Sequence, residues 1–309
     1  MNVVHIGLPK TATTTLQNRL FSEIQDFAYV GRINNGYSNA DTRELIERIT
    51  NQDSLEYKSD RAAALLRSLP EVRMAPQKPI LVSAEGLSVE GRADRRLIAE
   101  RLRELFAPAK ILIVLRAQPA LLQSMYLNHL RGSGERFLSF EKWLEDIYGG
   151  VRFRTPHRVG LDFEALITLY DHVFGPENVV VLPFEWIRDM HSQFSSRLGD
   201  LVGMNAPEVN KRITAHSDNQ RLSRRHLWAL RMQGLLAQGT NLATVGRRIL
   251  PGPIYQIIRR TVVAGSRVPS PTMPDRWTER LQSICAAGNA RIARAKDIPL
   301  GSLGYPVEH

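Results

Sequence analysis

The chain has 309 residues, enough for one large core with an extension, and its net charge of +10 gathers at one end. Residues 211–309 carry 16 Lys and Arg against 5 Asp and Glu, while residues 1–210 carry 25 against 26. A single cysteine, Cys285, excludes an intrachain disulfide, as expected of a cytoplasmic protein, and no run approaches the roughly 18–20 apolar residues that cross a bilayer.

A Val-rich run at 3–6 reads as a strand, and helical spacing follows at 13–24. A weaker strand candidate at 27–30 precedes a heavily charged stretch, 41–69, that reads as two helices. Short apolar strands at 80–82, 111–115 and 179–182 alternate with helical patterns at 93–106, 119–131, 140–147, 163–174 and 193–202. The runs at 111–115 and 179–182 are continuously apolar, as strands covered on both faces are. The alternation predicts an α/β fold: a parallel sheet with helices on both faces, in three layers. Beyond residue 220 only helical patterns remain, at 222–236, 255–263 and 277–294, broken by Pro251, Gly252 and Pro253 and by a loop at 266–274. The expected organisation is an α/β core over 1–210 and a basic helical C-terminal extension over 211–309 packed on that core.

The segment VVHIGLPKTATTTLQNRLF carries the clearest chemistry. A strand ends at Ile6, a Gly-Leu-Pro-Lys turn follows, and a Thr-rich start opens a helix. Gly7 permits close backbone approach, and the helix-start amides favour an anion. The hydroxyls of Thr11, Thr13, Thr14 and Thr15 are expected to add donors, and Lys10 supplies a cation. The order differs from a nucleoside-triphosphate P-loop, in which Lys follows a second Gly at the helix start.

These residues resemble the sulfotransferase family, whose 5'-phosphosulfate loop has the form P-K-[TS]-G-T-T-x-L. Here the segment is Pro9-Lys10-Thr11-Ala12-Thr13-Thr14-Thr15-Leu16, with Ala12 where the family usually has Gly. A second segment, KILIVLRAQPALLQSMYLNHLR, resembles the family's 3'-phosphate site and maps Arg116 and Ser124 onto its Arg and Ser. The resemblance covers residues 1–190 in outline, with PFEWIRD at 183–189 similar to a post-strand Glu segment of such enzymes. It implies a P-loop-like fold and a 3'-phosphoadenosine 5'-phosphosulfate donor that leaves as adenosine 3',5'-bisphosphate. Pro9, Lys10, Thr11, Ala12, Thr13, Thr14, Thr15, Arg116 and Ser124 would bind that donor. No metal is expected, since sulfuryl transfer needs in-line positioning and charge stabilisation, a task assigned to Lys10.

An acceptor hydroxyl must also lose a proton. Glu85, just past the 80–82 strand in the pattern Ser83-Ala84-Glu85, is the first candidate base, and the pattern resembles one in Glu-dependent members of the family. His5, His129 and His157 are rivals: His5 reads better as a core histidine, and His129 lies about 140° around a helix from Ser124. Arg152, Arg154 and Arg158 share a loop with His157 that is a candidate lid.

The basic extension, with Arg224, Arg225 and Arg231 and the segment IYQIIRRTVVAG, suits an anionic partner: a glycan, a lipid-linked acceptor or a membrane surface. That segment sets Ile254, Ile257, Ile258 and Val262 at helical spacing, with Arg259 and Arg260 elsewhere on the turn. A small-molecule acceptor is equally compatible. A P-loop kinase and a non-catalytic anion or nucleic-acid binder stand as alternatives, although no nucleic-acid-recognition motif occurs.

Overall fold

The computed structural model describes residues 1–34, 36–88, 93–132, 138–149, 160–189, 191–214, 223, 225 and 268–308. Six strands form one sheet: β1 (Asn2–His5), β2 (Ala28–Ile33), β3 (Gly36–Tyr37), β4 (Ile80–Ser83), β5 (Ala109–Leu115) and β6 (Val179–Pro183), in the order β3-β2-β4-β1-β5-β6. All neighbours pair in parallel except β2 and β3. β5 and β6 are the most apolar strands. Val3 and Val4 of β1 and Ile111 to Leu115 of β5 are buried, as strands covered on both faces are.

Most of the helices carry an apolar face, and several also have a capped start. They are α1 (Thr13–Arg19), α2 (Ala40–Asn51), α3 (Ser59–Ser68), α4 (Pro70–Arg73), α5 (Arg95–Phe106), α6 (Gln118–Gly132), α7 (Phe140–Leu144), α8 (Phe163–Phe174), α9 (Glu185–Asp189), α10 (His191–Val202) and α11 (Ala206–Thr214), followed by the long helix Asp275–Lys296. Asn39, Asp94 and Asp162 accept the backbone N–H of Thr42, Leu97 and Ala165, capping α2, α5 and α8, each contact contributing about 1 kcal/mol. α5 buries Ile98, Ala99, Leu102 and Phe106, and α8 buries Phe163, Leu166, Ile167 and Tyr170. The α/β architecture is the one expected, with β3, α4, α9 and α11 in addition.

Two compact units divide the chain. The first combines Met1–Gln118, Arg154–Asp218 and Glu279–His309, and the second combines Pro119–Phe153 and Asn219–Thr278. Residues 279–309 group with the sheet. Arg291 pairs with Glu164 of α8, Lys296 reaches Asp171 at 2.7 Å, and Asn289 Nδ2 donates to Gln118 Oε1 at 3.2 Å. Basic composition marked the extension without revealing these side-chain ties.

In the second unit, Tyr126, Phe140, Trp143 and Tyr148 form an aromatic cluster, and Tyr126 donates to the Leu138 carbonyl at 2.8 Å. The expected helices at 222–236 and 255–263, the candidate lid with Arg152, Arg154, His157 and Arg158, and Arg224, Arg231, Ile254, Ile257, Ile258, Arg259, Arg260 and Val262 lie outside the described residues. Among the described residues no helix is long and apolar enough to cross a membrane.

The topology fixes where a site can form. From β1 the chain passes to β2 on one side, and from β4 it crosses to β5 on the other, so its direction of winding reverses at β1. In open α/β sheets ligands bind at the carboxyl ends of strands beside such a reversal. Register aligns those ends: His5 pairs with Ser83 and Leu112, Gly31 with Ser83, and Leu115 with Pro183.

Candidate active site

Beyond β1 the chain turns sharply to enter α1. Gly7 has φ 53°, and a Cβ there would lie 3.2 Å from the Ala84 carbonyl oxygen and from Thr13 Cγ2, so the close approach to the end of β4 requires glycine. Lys10 and Ala12 also adopt left-handed conformations, φ 63° and 61°. For residues with a Cβ, each costs about 1–2 kcal/mol.

Two internal hydrogen bonds and one from Ser88 hold that strained turn. The hydroxyls of Thr11 and Thr13 both donate to the Leu8 carbonyl, at 2.5 and 3.0 Å, and Ser88 Oγ donates to the Gly7 carbonyl at 2.9 Å. Thr11 and Thr13 are buried. Their hydroxyls, expected to face an anion, instead fasten the loop to itself. Lys10, Thr14 and Thr15 are half-buried, as are Pro9 and Ala12. The first N–H groups of α1 have no intrahelical acceptor by virtue of helix geometry.

Glu85 opens a short helical turn, Glu85–Leu87, directly after β4. Burial pushes its carboxyl above the ordinary range, and the positive charges of Arg32 and Lys10 act in the opposite direction. Lys10 and Glu85 therefore share one electrostatic neighbourhood with Arg32, at the end of β2, which the sequence had not singled out. The Arg32 guanidinium lies over the Tyr37 ring, 5.4 Å from its centroid, and burial raises the Tyr37 hydroxyl.

Arg116 leaves the end of β5. Its Nη1 donates to the Lys10 carbonyl at 2.9 Å, and its guanidinium carbon lies 4.6 Å from the centroid of the Phe184 ring. The next residue, Ala117, donates its N–H to Glu185 Oε1 at 3.1 Å, and Tyr305 donates its hydroxyl to Glu185 Oε2 at 3.0 Å. Glu185 was visible only as part of PFEWIRD. Nothing in the sequence marked Tyr305, 120 residues away.

Lys10, Glu85 and Arg116 thus lie at the carboxyl ends of β1, β4 and β5 of the first unit. Ser124 is half-buried on α6 of the second. The rival bases occupy other settings. His5 is fully buried, its Nδ1 2.8 Å from Ser83 Oγ, and burial lowers its pKa to about 3, so it stays neutral as a core histidine. His129 lies in the second unit with its ring centroid 6.1 Å from that of Trp143. Among the described residues no group of three or more His, Cys, Asp or Glu is arranged to hold a metal ion.

No family model matches the chain, and no curated protein matches it significantly. Among solved structures, the crystal structure of a sulfotransferase from Alicyclobacillus acidocaldarius aligns with a TM-score of 0.55 and 17% identity, over 98% of each chain. At that identity the likeness is one of fold, extending along both chains from end to end.

Proposed function

We propose that this protein is a sulfotransferase that moves a sulfuryl group from 3'-phosphoadenosine 5'-phosphosulfate to a hydroxyl or amine of an acceptor. The observation that carries the reading is the 2.9 Å bond from Arg116 to the Lys10 carbonyl, which brings the ends of β1 and β5 together. The fold shared with the Alicyclobacillus sulfotransferase supports it. The residues fit a doubly phosphorylated nucleotide: a lysine on a preorganised turn for the 5' side, and an arginine fork set on an aromatic face for the 3'-phosphate.

The donor supplies an activated sulfur whose bond to the 5'-phosphate oxygen breaks as a bond to the acceptor oxygen or nitrogen forms. Lys10 stabilises the negative charge that develops on the departing phosphate oxygen, the role for which a fixed cation in a low-dielectric cleft is most effective. Pro9 to Thr15 form the wall on that side. Arg116 takes the 3'-phosphate, with Ser124 assigned to the same phosphate by the motif. Glu85 accepts the acceptor's proton, and the upward push on its carboxyl brings the base closer to neutral pH.

The acceptor belongs to the glycan, lipid-linked or small-molecule classes, with a membrane surface as a further contact for the basic C-terminal region. Buried Cys285, the only cysteine, suits a cytoplasmic setting. Calorimetric titration tests the donor. Adenosine 3',5'-bisphosphate is expected to bind without metal and about tenfold or more tightly than ATP with Mg²⁺. A preference for ATP with Mg²⁺ would overturn the reading in favour of a kinase. Transfer of radiolabelled sulfate to panels of glycans, glycolipids and phenols then assigns the acceptor.

A further inference from the structure

Among the described residues Glu185 is the only buried carboxylate, 7% exposed. Sequestering a carboxylate costs several kcal/mol unless donors surround it, so its partners are informative. They come from two distant parts of the first unit: the Ala117 N–H at the exit of β5 and the Tyr305 hydroxyl in the C-terminal tail. Burial pushes the Glu185 carboxyl up, while these two donors, its own backbone N–H and the Arg116 charge act against that push. Tyr305 is itself buried, with its hydroxyl held well above the usual value chiefly by burial, so it remains a donor.

The flanking residues give the cluster its direction. Ala117 follows Arg116, and Glu185 follows Phe184, the ring on which the Arg116 guanidinium rests. The tail that presents Tyr305 is tied to the helix before it: Asn289 Nδ2 donates to the Pro306 carbonyl and Gln282 Nε2 to the Val307 carbonyl, both at 2.7 Å, and Tyr305 N–H donates to the Leu300 carbonyl at 3.2 Å.

We infer that Glu185 and Tyr305 are positioning residues for Arg116, fixing the exit of β5 against that of β6 so that the guanidinium is set for the nucleotide's 3'-phosphate. The C-terminal tail is thereby part of the nucleotide site without touching the nucleotide. This inference rests on the nucleotide reading above.

The test compares wild type, Tyr305→Phe and Glu185→Ala with a structural control, Lys296→Met. Lys296 ties the C-terminal helix to Asp171 and to the Pro176 and Val179 carbonyls and is not a partner of Glu185. For each, the dissociation constants of adenosine 3',5'-bisphosphate and of 5'-AMP are measured by calorimetry beside the Tm. Tyr305→Phe is expected to weaken the bisphosphate about fivefold and Glu185→Ala about tenfold or more, with 5'-AMP changed by less than about twofold. Lys296→Met is expected to lower Tm and leave the ratio of the two constants intact. Should Glu185→Ala fail to fold, Tyr305→Phe decides. An unchanged ratio in Tyr305→Phe, or equal losses for both nucleotides in step with Tm, would overturn the inference. A wild-type chain with no preference for the 3'-phosphate would instead defeat the nucleotide reading, an outcome visible before any variant is made.

Discussion

The exits of β1 and β5 lie side by side in the sheet, yet they are built by opposite means. At β1 the chain within about a dozen residues does nearly everything: Gly7 makes the turn, Lys10 and Ala12 take left-handed conformations, and Thr11 and Thr13 bond back to Leu8. At β5 every partner is remote: Lys10 is 106 residues from Arg116, Glu185 is 68 from Ala117, and Tyr305 is 120 from Glu185. A local site stores strain in its backbone and contains most of its own fastenings, with Ser88 and Arg116 adding one bond each from afar. A long-range site depends on the folded core, and its side chains stay set only while distant segments are docked.

That difference can be broken by substitution, beginning at the β1 exit. Lys10→Ala is expected to lower turnover by about 10²–10³-fold, as loss of a preorganised charge stabiliser does, with Tm changed far less, since the Thr11 and Thr13 hydroxyls still bond the Leu8 carbonyl. Steady-state assays beside thermal melts check both parts.

Glu85→Gln is expected to reduce turnover by about 10²-fold or more while leaving affinity for adenosine 3',5'-bisphosphate unchanged. The pH profile sharpens the assignment. A base acts when ionised, and burial raises this carboxyl, so wild-type turnover is expected to climb with pH through a value above the ordinary carboxylate range and then level off. Stability runs the other way for the same group. Its raised folded-state pKa favours the fold below the ordinary carboxylate value, and that contribution is lost as pH rises through the raised one. A wild-type profile that Glu85→Gln leaves in place would move the base elsewhere.

The smallest effect concerns the strain itself. Ala12→Gly is expected to stabilise the protein by about 0.5–1 kcal/mol net, since relief of the left-handed Cβ penalty exceeds the added freedom of glycine in the unfolded chain. Denaturant melts measure it, and destabilisation would show that the Thr11 and Thr13 bonds depend on the alanine.

The same contrast explains what the sequence made legible. The four clearest strands could be read from runs of Val, Ile and Leu, because strands buried on both faces have no polar alternation to hide in. β3, two residues long, has too little sequence to carry a period, and α11 is amphipathic but lies beside an apolar-poor stretch. The turn that carries Lys10 was legible because it is local. The inward hydroxyls of Thr11 and Thr13 were not, because a threonine beside a turn can serve the loop or a ligand, and only the position of the Leu8 carbonyl decides. Arg32 and Tyr305 acquire their roles from neighbours across the sheet and across 120 residues, for which no spacing rule exists. Charge marks the C-terminal segment as an extension but not its partners, and its ties to Glu164, Asp171 and Gln118 group residues 279–309 with the first unit.

The central claim is that the two strand exits hold opposite ends of one nucleotide, and half-ligands test it most directly. Affinities of 5'-AMP and 3'-AMP are measured for wild type, Lys10→Ala and Arg116→Ala. Lys10→Ala is expected to weaken 5'-AMP selectively, and Arg116→Ala to weaken 3'-AMP by about tenfold or more while sparing 5'-AMP. Equal losses of both half-ligands in both variants would contradict the claim, since a single undivided anion site would then account for all the binding.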